Sequence, residues 1–117
     1  MKIIISGALG RMGRAVETAV IAAGHTVICG IDVSVDKCGT PLGVNYPVYP
    51  SINDFSGKAD ALIDFSHHTA IFSLMDYAVE NNLPCVISTT GHTDEEMAYM
   101  QRAAENQEML EKLFTVF

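Results

Sequence analysis

Positive charge is scarce in this chain: seven lysines and arginines stand against fourteen aspartates and glutamates, a formal net charge of -7, and the basic residues form no cluster. That argues against a nucleic-acid binder, which needs many cations along one face. A phosphorylated small ligand would have to be held by backbone amides and a few chosen side chains. Cysteine is sparse too. Cys29, Cys38 and Cys85 are odd in number and far apart, with no Cys-x-x-Cys or histidine-rich ligand spacing, so neither a zinc module nor a disulfide framework is expected and the thiols are expected to be reduced. Long hydrophobic runs are missing: no segment approaches a membrane span, and the apolar stretch after Lys2 is too short for a secretory leader. The expected compartment is the cytoplasm. Repeats and low-complexity segments are absent, as is a Gly-Lys-Ser/Thr element, which argues against an ATP-hydrolysing P-loop. What remains is a 49% apolar chain of 117 residues, expected to form a single domain over residues 1–117. It is long enough for a real core and short for a two-domain enzyme.

The densest information lies in Met1 to Arg14, where the run Ile3–Ile5 leads into Gly7-Ala-Leu-Gly10-Arg-Met-Gly13. The isoleucines suit a buried strand. Gly7 permits a tight turn, Gly10 lets backbone approach a ligand, and Gly13 allows a helix to pack on the sheet. A pyrophosphate would sit on the free N–H groups of that helix. The spacing Gly-x-x-Gly-x-x-Gly is one residue looser than the commonest dinucleotide fingerprint, so context must support it. Arg14 to Ala23 is a helix-forming run, Gly24 is placed to end it, and Thr26 to Ile31 fits a second strand. Asp32 follows about twenty residues beyond the glycines, where a carboxylate can accept hydrogen bonds from an adenosine ribose.

Beyond Asp32, residues 36 to 50 suit a loop with a short strand near Val48, and Ser51 can cap a single helical turn. Ala59 to Phe65 has the composition of a buried parallel strand. Thr69 to Asn81 places Ile71, Leu74, Met75, Ala78 and Val79 on one helical face, and Cys85 to Ser88 fits another strand. Thr93-Asp-Glu-Glu96 is a capping box opening a helix to about Glu105, and Leu113 to Phe117 is expected as a final strand. Alternating strands and helices of this kind predict an α/β fold: a Rossmann-like, doubly wound parallel sheet in three αβα layers.

Several residues that tempt a chemical reading have plainer ones. His67 and His68 suit a loop or helix start, His25 a turn, and His92 a loop. The glutamates at 95, 96, 105, 108 and 111 suit a solvated helix face beside Arg102 and Lys112. Met75, Met97 and Met100 suit core positions, while Met12 is expected to pack under the glycine loop. Asp64 either caps a neighbouring turn or lines the ligand crevice, with the structural role ahead.

Three segments taken together, Gly7 to Arg14, Leu62-Ile-Asp-Phe-Ser66 and Val86-Ile-Ser-Thr-Thr-Gly-His92, resemble the dihydrodipicolinate reductase family over residues 1 to 105. That family reduces a cyclic precursor of diaminopimelate and lysine. The resemblance implies a cofactor, NADH or NADPH, held by Gly7, Ala8, Leu9, Gly10, Arg11 and Met12 at its phosphates. It also implies Asp32 at the ribose and Ser88, Thr89 and Thr90 at the nicotinamide. Ser88 replaces the glycine usual in the family, and Val33 occupies a position where some members carry a cation. Asp32 favours NADH, because a carboxylate repels a 2′-phosphate, while Arg11 can swing towards one.

The family's paired-histidine and lysine motif, which binds substrate carboxylates and supplies a proton, has no match in this sequence, and no catalytic residue is assigned. Residues from Gln107 onward depart from the family pattern. The leading expectation is therefore the NAD(P)H-binding domain of a reductase of lysine biosynthesis, inactive alone, as a monomer or a non-native dimer. The alternative is a stand-alone, non-catalytic dinucleotide-binding or sensing module. An adenosine ligand such as coenzyme A is a third, weaker reading. Neither a nucleic acid nor a membrane is expected as a partner, and no metal.

Overall fold

The structure, a computed structural model, describes residues 1–67, 70–87, 94–96, 98 and, for the backbone alone, 113–115. Its elements in chain order are β1 (Lys2–Ser6), α1 (Arg11–Ala22), β2 (Thr26–Ile31), β3 (Val48–Tyr49), a single 3₁₀ turn (Ile52–Asp54), β4 (Ala61–Asp64), α2 (Ile71–Glu80), β5 (Cys85–Ile87) and β6 (Leu113–Thr115). Residues 94–96 are also helical. Three consecutive isoleucines leave β1 no face for solvent, so it has to lie inside a sheet covered on both sides. It pairs in parallel with β2 along one edge and with β4 along the other. The whole sheet is parallel, in the order β3-β2-β1-β4-β5-β6, the arrangement of two-halved dinucleotide folds.

Alternation along the strands divides the core in two. Ile4, Cys29, Leu62, Cys85 and Ile87 meet Ile71, Leu74, Met75 and Ala78 of α2, together with Ile52 of the 3₁₀ turn. Ile3, Ile5, Val27 and Val48 pack on the opposite face with Val20 of α1, joined by Val44 and Tyr46 from the β2–β3 loop. Each fully buried Ile, Leu or Met contributes about 1.5–3 kcal/mol of hydrophobic stabilisation. Two helices on two faces make the three-layer, doubly wound fold expected from the sequence.

Several local details differ from the sequence expectation. Helix α1 starts at Arg11, not Arg14, because Gly13 in its first turn has no Cβ. A Cβ there would lie 2.2 Å from the Gly7 carbonyl oxygen, so glycine alone lets the helix begin against the preceding turn. Gly24 ends the helix in the left-handed region (φ +85°), as expected. In α2, Val79 is exposed and Tyr77 takes an inward position instead. Glu96 is buried at 4% exposure, which removes it from the solvated face read for the glutamates. Thr93, Met97, Met100, His68 and His92 lie outside the described residues. Among the described residues no helix is long and apolar enough to cross a membrane.

Candidate functional site

At the carboxyl ends of β1 and β4 the chain leaves the sheet in opposite directions, and a crevice opens between the two departures. It is a cavity of about 780 Å³, lined by Ser6, Gly7 and Gly10 from the glycine turn and by Ile31, Asp32 and Val33 after β2. Pro50, Ser51 and Ile52 line it after β3, and Phe65, Ser66, His67, Ala70, Ser73 and Leu74 come from the β4–α2 side.

The turn beside this cavity is made by glycines for identifiable reasons. Gly7 has φ +80°, and a Cβ on it would come 2.7 Å from the Phe65 carbonyl oxygen. Gly10 is the N-cap of α1 but offers no side-chain oxygen, and no acidic residue occupies the first helical turn. The N–H groups at this helix start are therefore left for water or a ligand. A β-strand followed by a forced glycine turn and an uncapped helix start, all facing one cavity, fits a pyrophosphate.

The turn is docked on β2. The N–H groups of Gly7 and Ala8 both donate to the Ile31 carbonyl, at 2.7 and 3.2 Å. Leu9 N–H donates to Asp32 Oδ2 at 2.9 Å, and Ser34 N–H donates to Asp32 Oδ1 at 3.0 Å. Partial burial pushes the Asp32 carboxyl up, but the hydrogen bonds from Ser34 and Leu9 outweigh it and hold the group below its ordinary value. Asp32 is thus an anion at neutral pH. The carboxylate accepts from Leu9 N–H and from both the N–H and the hydroxyl of Ser34, which leaves one of its four lone-pair directions for a ribose hydroxyl.

The sequence-derived binding residues divide by position. Gly7, Gly10 and Asp32 line the cavity. Ala8 is fully buried beneath the turn, and Leu9 is half-buried. Arg11 and Met12 open the helix on its exposed side. Met12 is 53% exposed and does not pack under the loop, because Ala8 already fills the space between the turn and Gly30. Ser88, Thr89 and Thr90 lie outside the described residues.

Asp64 is buried and accepts hydrogen bonds from the backbone N–H and the hydroxyl of Ser66, so the turn-capping role is the one observed. Sequence reasoning did not assign Ser6, Ser51, His67 or Ser73 to the crevice. The available signal was position, since three of them follow or end strands at the carboxyl edge where ligands of open α/β sheets bind. Among the described residues, no group of three or more His, Cys, Asp or Glu side chains is placed to hold a metal ion.

Comparison with known proteins agrees with this geometry. The family described as dihydrodipicolinate reductase, N-terminus, matches residues 1–112. The chain belongs to that family. Similar relatives include the 4-hydroxy-tetrahydrodipicolinate reductases of Clostridium novyi, 35% identical over 82% of this chain and 36% of the relative, and of Caldanaerobacter subterraneus, 36% identical over 90% and 40%. The Archaeoglobus fulgidus enzyme of that name is 36% identical over 94% of the chain and 44% of its own length. The chain thus spans about two fifths of the length of these relatives. Among solved structures, dipicolinate-bound dihydrodipicolinate reductase from Paenisporosarcina sp. TG-14 shares the fold with a TM-score of 0.71 at 23% identity, over 90% of this chain and 43% of that one.

Proposed function

We propose that this chain binds NADH or NADPH across the crevice and holds it as the hydride donor of a 4-hydroxy-tetrahydrodipicolinate reductase. The observation that carries the reading is the uncapped start of α1, reached through a turn in which Gly7 and Gly13 admit no side chain, next to a charged Asp32. The N–H groups after Gly10 would take the pyrophosphate, and the remaining lone pair of Asp32 would accept an adenosine ribose hydroxyl. Ser88, Thr89 and Thr90, beyond the carboxyl end of β5, are assigned to the nicotinamide carboxamide by family resemblance. The bound nicotinamide supplies the hydride. The chain's own residues bind and orient it, with no proton-transfer step assigned to them.

NADH is the preferred form in this reading. A 2′-phosphate would lie against the Asp32 carboxylate, and the neighbouring Val33 supplies no cation. Arg11, exposed at the first position of α1, tempers that preference by offering a charge to NADPH. Calorimetric titration with each cofactor, repeated on Asp32→Ala, tests the proposal. Saturable binding with a preference altered by the substitution supports it. Failure of both cofactors to bind the wild-type chain refutes it.

A further inference from the structure

We propose that Tyr46 is a positioning residue for the phosphate turn, acting on it through Ala8 and Gly30, an inference that rests on the dinucleotide reading above. Ala8 is completely buried, and it is directed at Gly30 in β2. A Cβ added at Gly30 would lie 2.5 Å from Ala8 Cβ and 2.9 Å from Tyr46 Cε2, so the methyl group and the ring edge together fill the space above that glycine. The backbone hydrogen bonds from Gly7 and Ala8 to Ile31 pull the turn down onto β2. The methyl-and-ring contact sets how far down it can go.

Tyr46 is itself held in place from both sides. Arg14 Nη2, on the first turns of α1, donates to the Gly43 carbonyl at 2.7 Å, which ties the β2–β3 loop to the helix that the turn opens. On the strand side, Gly30 N–H donates to the Pro47 carbonyl at 2.9 Å, and Gly39 and Val48 exchange backbone hydrogen bonds. The Tyr46 hydroxyl is buried and has no hydrogen-bond partner among the described residues. The ring, not the hydroxyl, therefore carries the role. Without the ring edge, Ala8 and the following N–H groups can settle lower, away from a pyrophosphate. The ribose end keeps its place, because Asp32 is also held away from the turn, its own N–H donating to the Tyr49 carbonyl at 2.9 Å and its Oδ1 accepting from Ser34 N–H at 3.0 Å.

The test compares affinity for NADH with affinity for adenosine, which lacks the phosphates. Tyr46→Leu is expected to weaken NADH roughly tenfold while changing adenosine binding less than about twofold, and Tyr46→Phe is expected to restore the wild-type ratio. Ala8→Gly, a milder change, is expected to give the same selective loss. Adding Tyr46→Leu to it should cost little more, because the two act through one contact. Equal losses for both ligands, or additive effects of the two substitutions, would overturn the inference. If Tyr46→Leu does not fold, Tyr46→Met takes its place, a flexible side chain that fills the core without the ring edge: selective loss of NADH supports the inference and none overturns it. A wild-type chain that binds no NADH removes the dinucleotide reading and this inference with it, an outcome distinct from failure in the variants only.

Discussion

Leu9 and Asp32 are joined by a 2.9 Å hydrogen bond from the backbone N–H of one to Oδ2 of the other, so the phosphate turn is tethered to the acid after β2. The same carboxylate accepts from Ser34 through its other oxygen. Asp32 therefore has two separable duties, to anchor the turn and to present a lone pair to a ligand.

Replacing Asp32 tests both duties. Asp32→Ala is expected to lower stability by about 1–2 kcal/mol, since two backbone donors lose a charged acceptor near the surface. It is also expected to weaken NADH more than NADPH, shifting the affinity ratio towards NADPH because repulsion of the 2′-phosphate is gone. Urea unfolding and paired titrations measure the two effects.

Gly13→Ala should be far more damaging than an ordinary glycine-to-alanine change in a helix, which is normally favourable by roughly 1 kcal/mol. The added Cβ would meet the Gly7 oxygen at 2.2 Å and the Ala8 oxygen at 2.7 Å, and both are backbone atoms that cannot swing aside. A loss of more than about 3 kcal/mol is expected, read from the urea midpoint. Retained stability would show that the helix starts elsewhere.

Acid should weaken the fold partly through Asp32. Its folded-state carboxyl lies below the ordinary value of 3.8, so the unfolded chain takes up the proton first as pH falls. The contribution is fully present above the unfolded value and is lost as pH drops through the lower folded one. The stability difference between wild type and Asp32→Asn should accordingly be flat near neutrality and shrink below about pH 4. A difference that does not change with acid would contradict the assigned hydrogen bonds.

The three thiols should separate cleanly. Burial pushes Cys29 and Cys85 up to about 12, so both stay protonated and shielded at neutral pH, whereas Cys38 is exposed. Native protein is expected to react with a thiol reagent at one site quickly, and at all three after denaturation. Cys38→Ser should abolish the fast phase. Because the folded values of Cys29 and Cys85 are raised, their contribution to stability holds below the unfolded thiol value and declines above about pH 9. Alkaline unfolding curves of Cys29→Ala and Cys85→Ala check this.

Much of the architecture was legible because local and global signals coincide. Ile3–Ile5 has no polar alternation and had to be central; Gly24 marks a helix end by its left-handed backbone, and Ser51 marks a 3₁₀ turn by its hydroxyl, which accepts from Asn53 N–H. The short Leu113–Thr115 strand was legible only as composition at the end of the chain. What stayed hidden depends on contacts between distant residues. The start of α1 follows from the Gly13–Gly7 approach, which a helix-propensity reading cannot see, since propensity counts Gly13 against a helix through the first turn. Val79 and Tyr77 exchange places relative to the apolar count because a tyrosine is amphipathic and satisfies either face. His67 looked like an ordinary loop residue until the switch point brought its loop across from Asp32.

The central position of β1 also bears on how the chain acquires its fold. The first of the six strands in chain order needs partners from both directions, and its second neighbour, Ala61–Asp64, comes only after the whole first half has been made. At a synthesis rate of about 5–20 residues per second, the Ile3–Ile5 segment waits for seconds with one edge unpaired. During that interval it presents an unpaired aliphatic strand edge, the kind of surface that another chain or a chaperone recognising short aliphatic stretches would engage before the sheet closes.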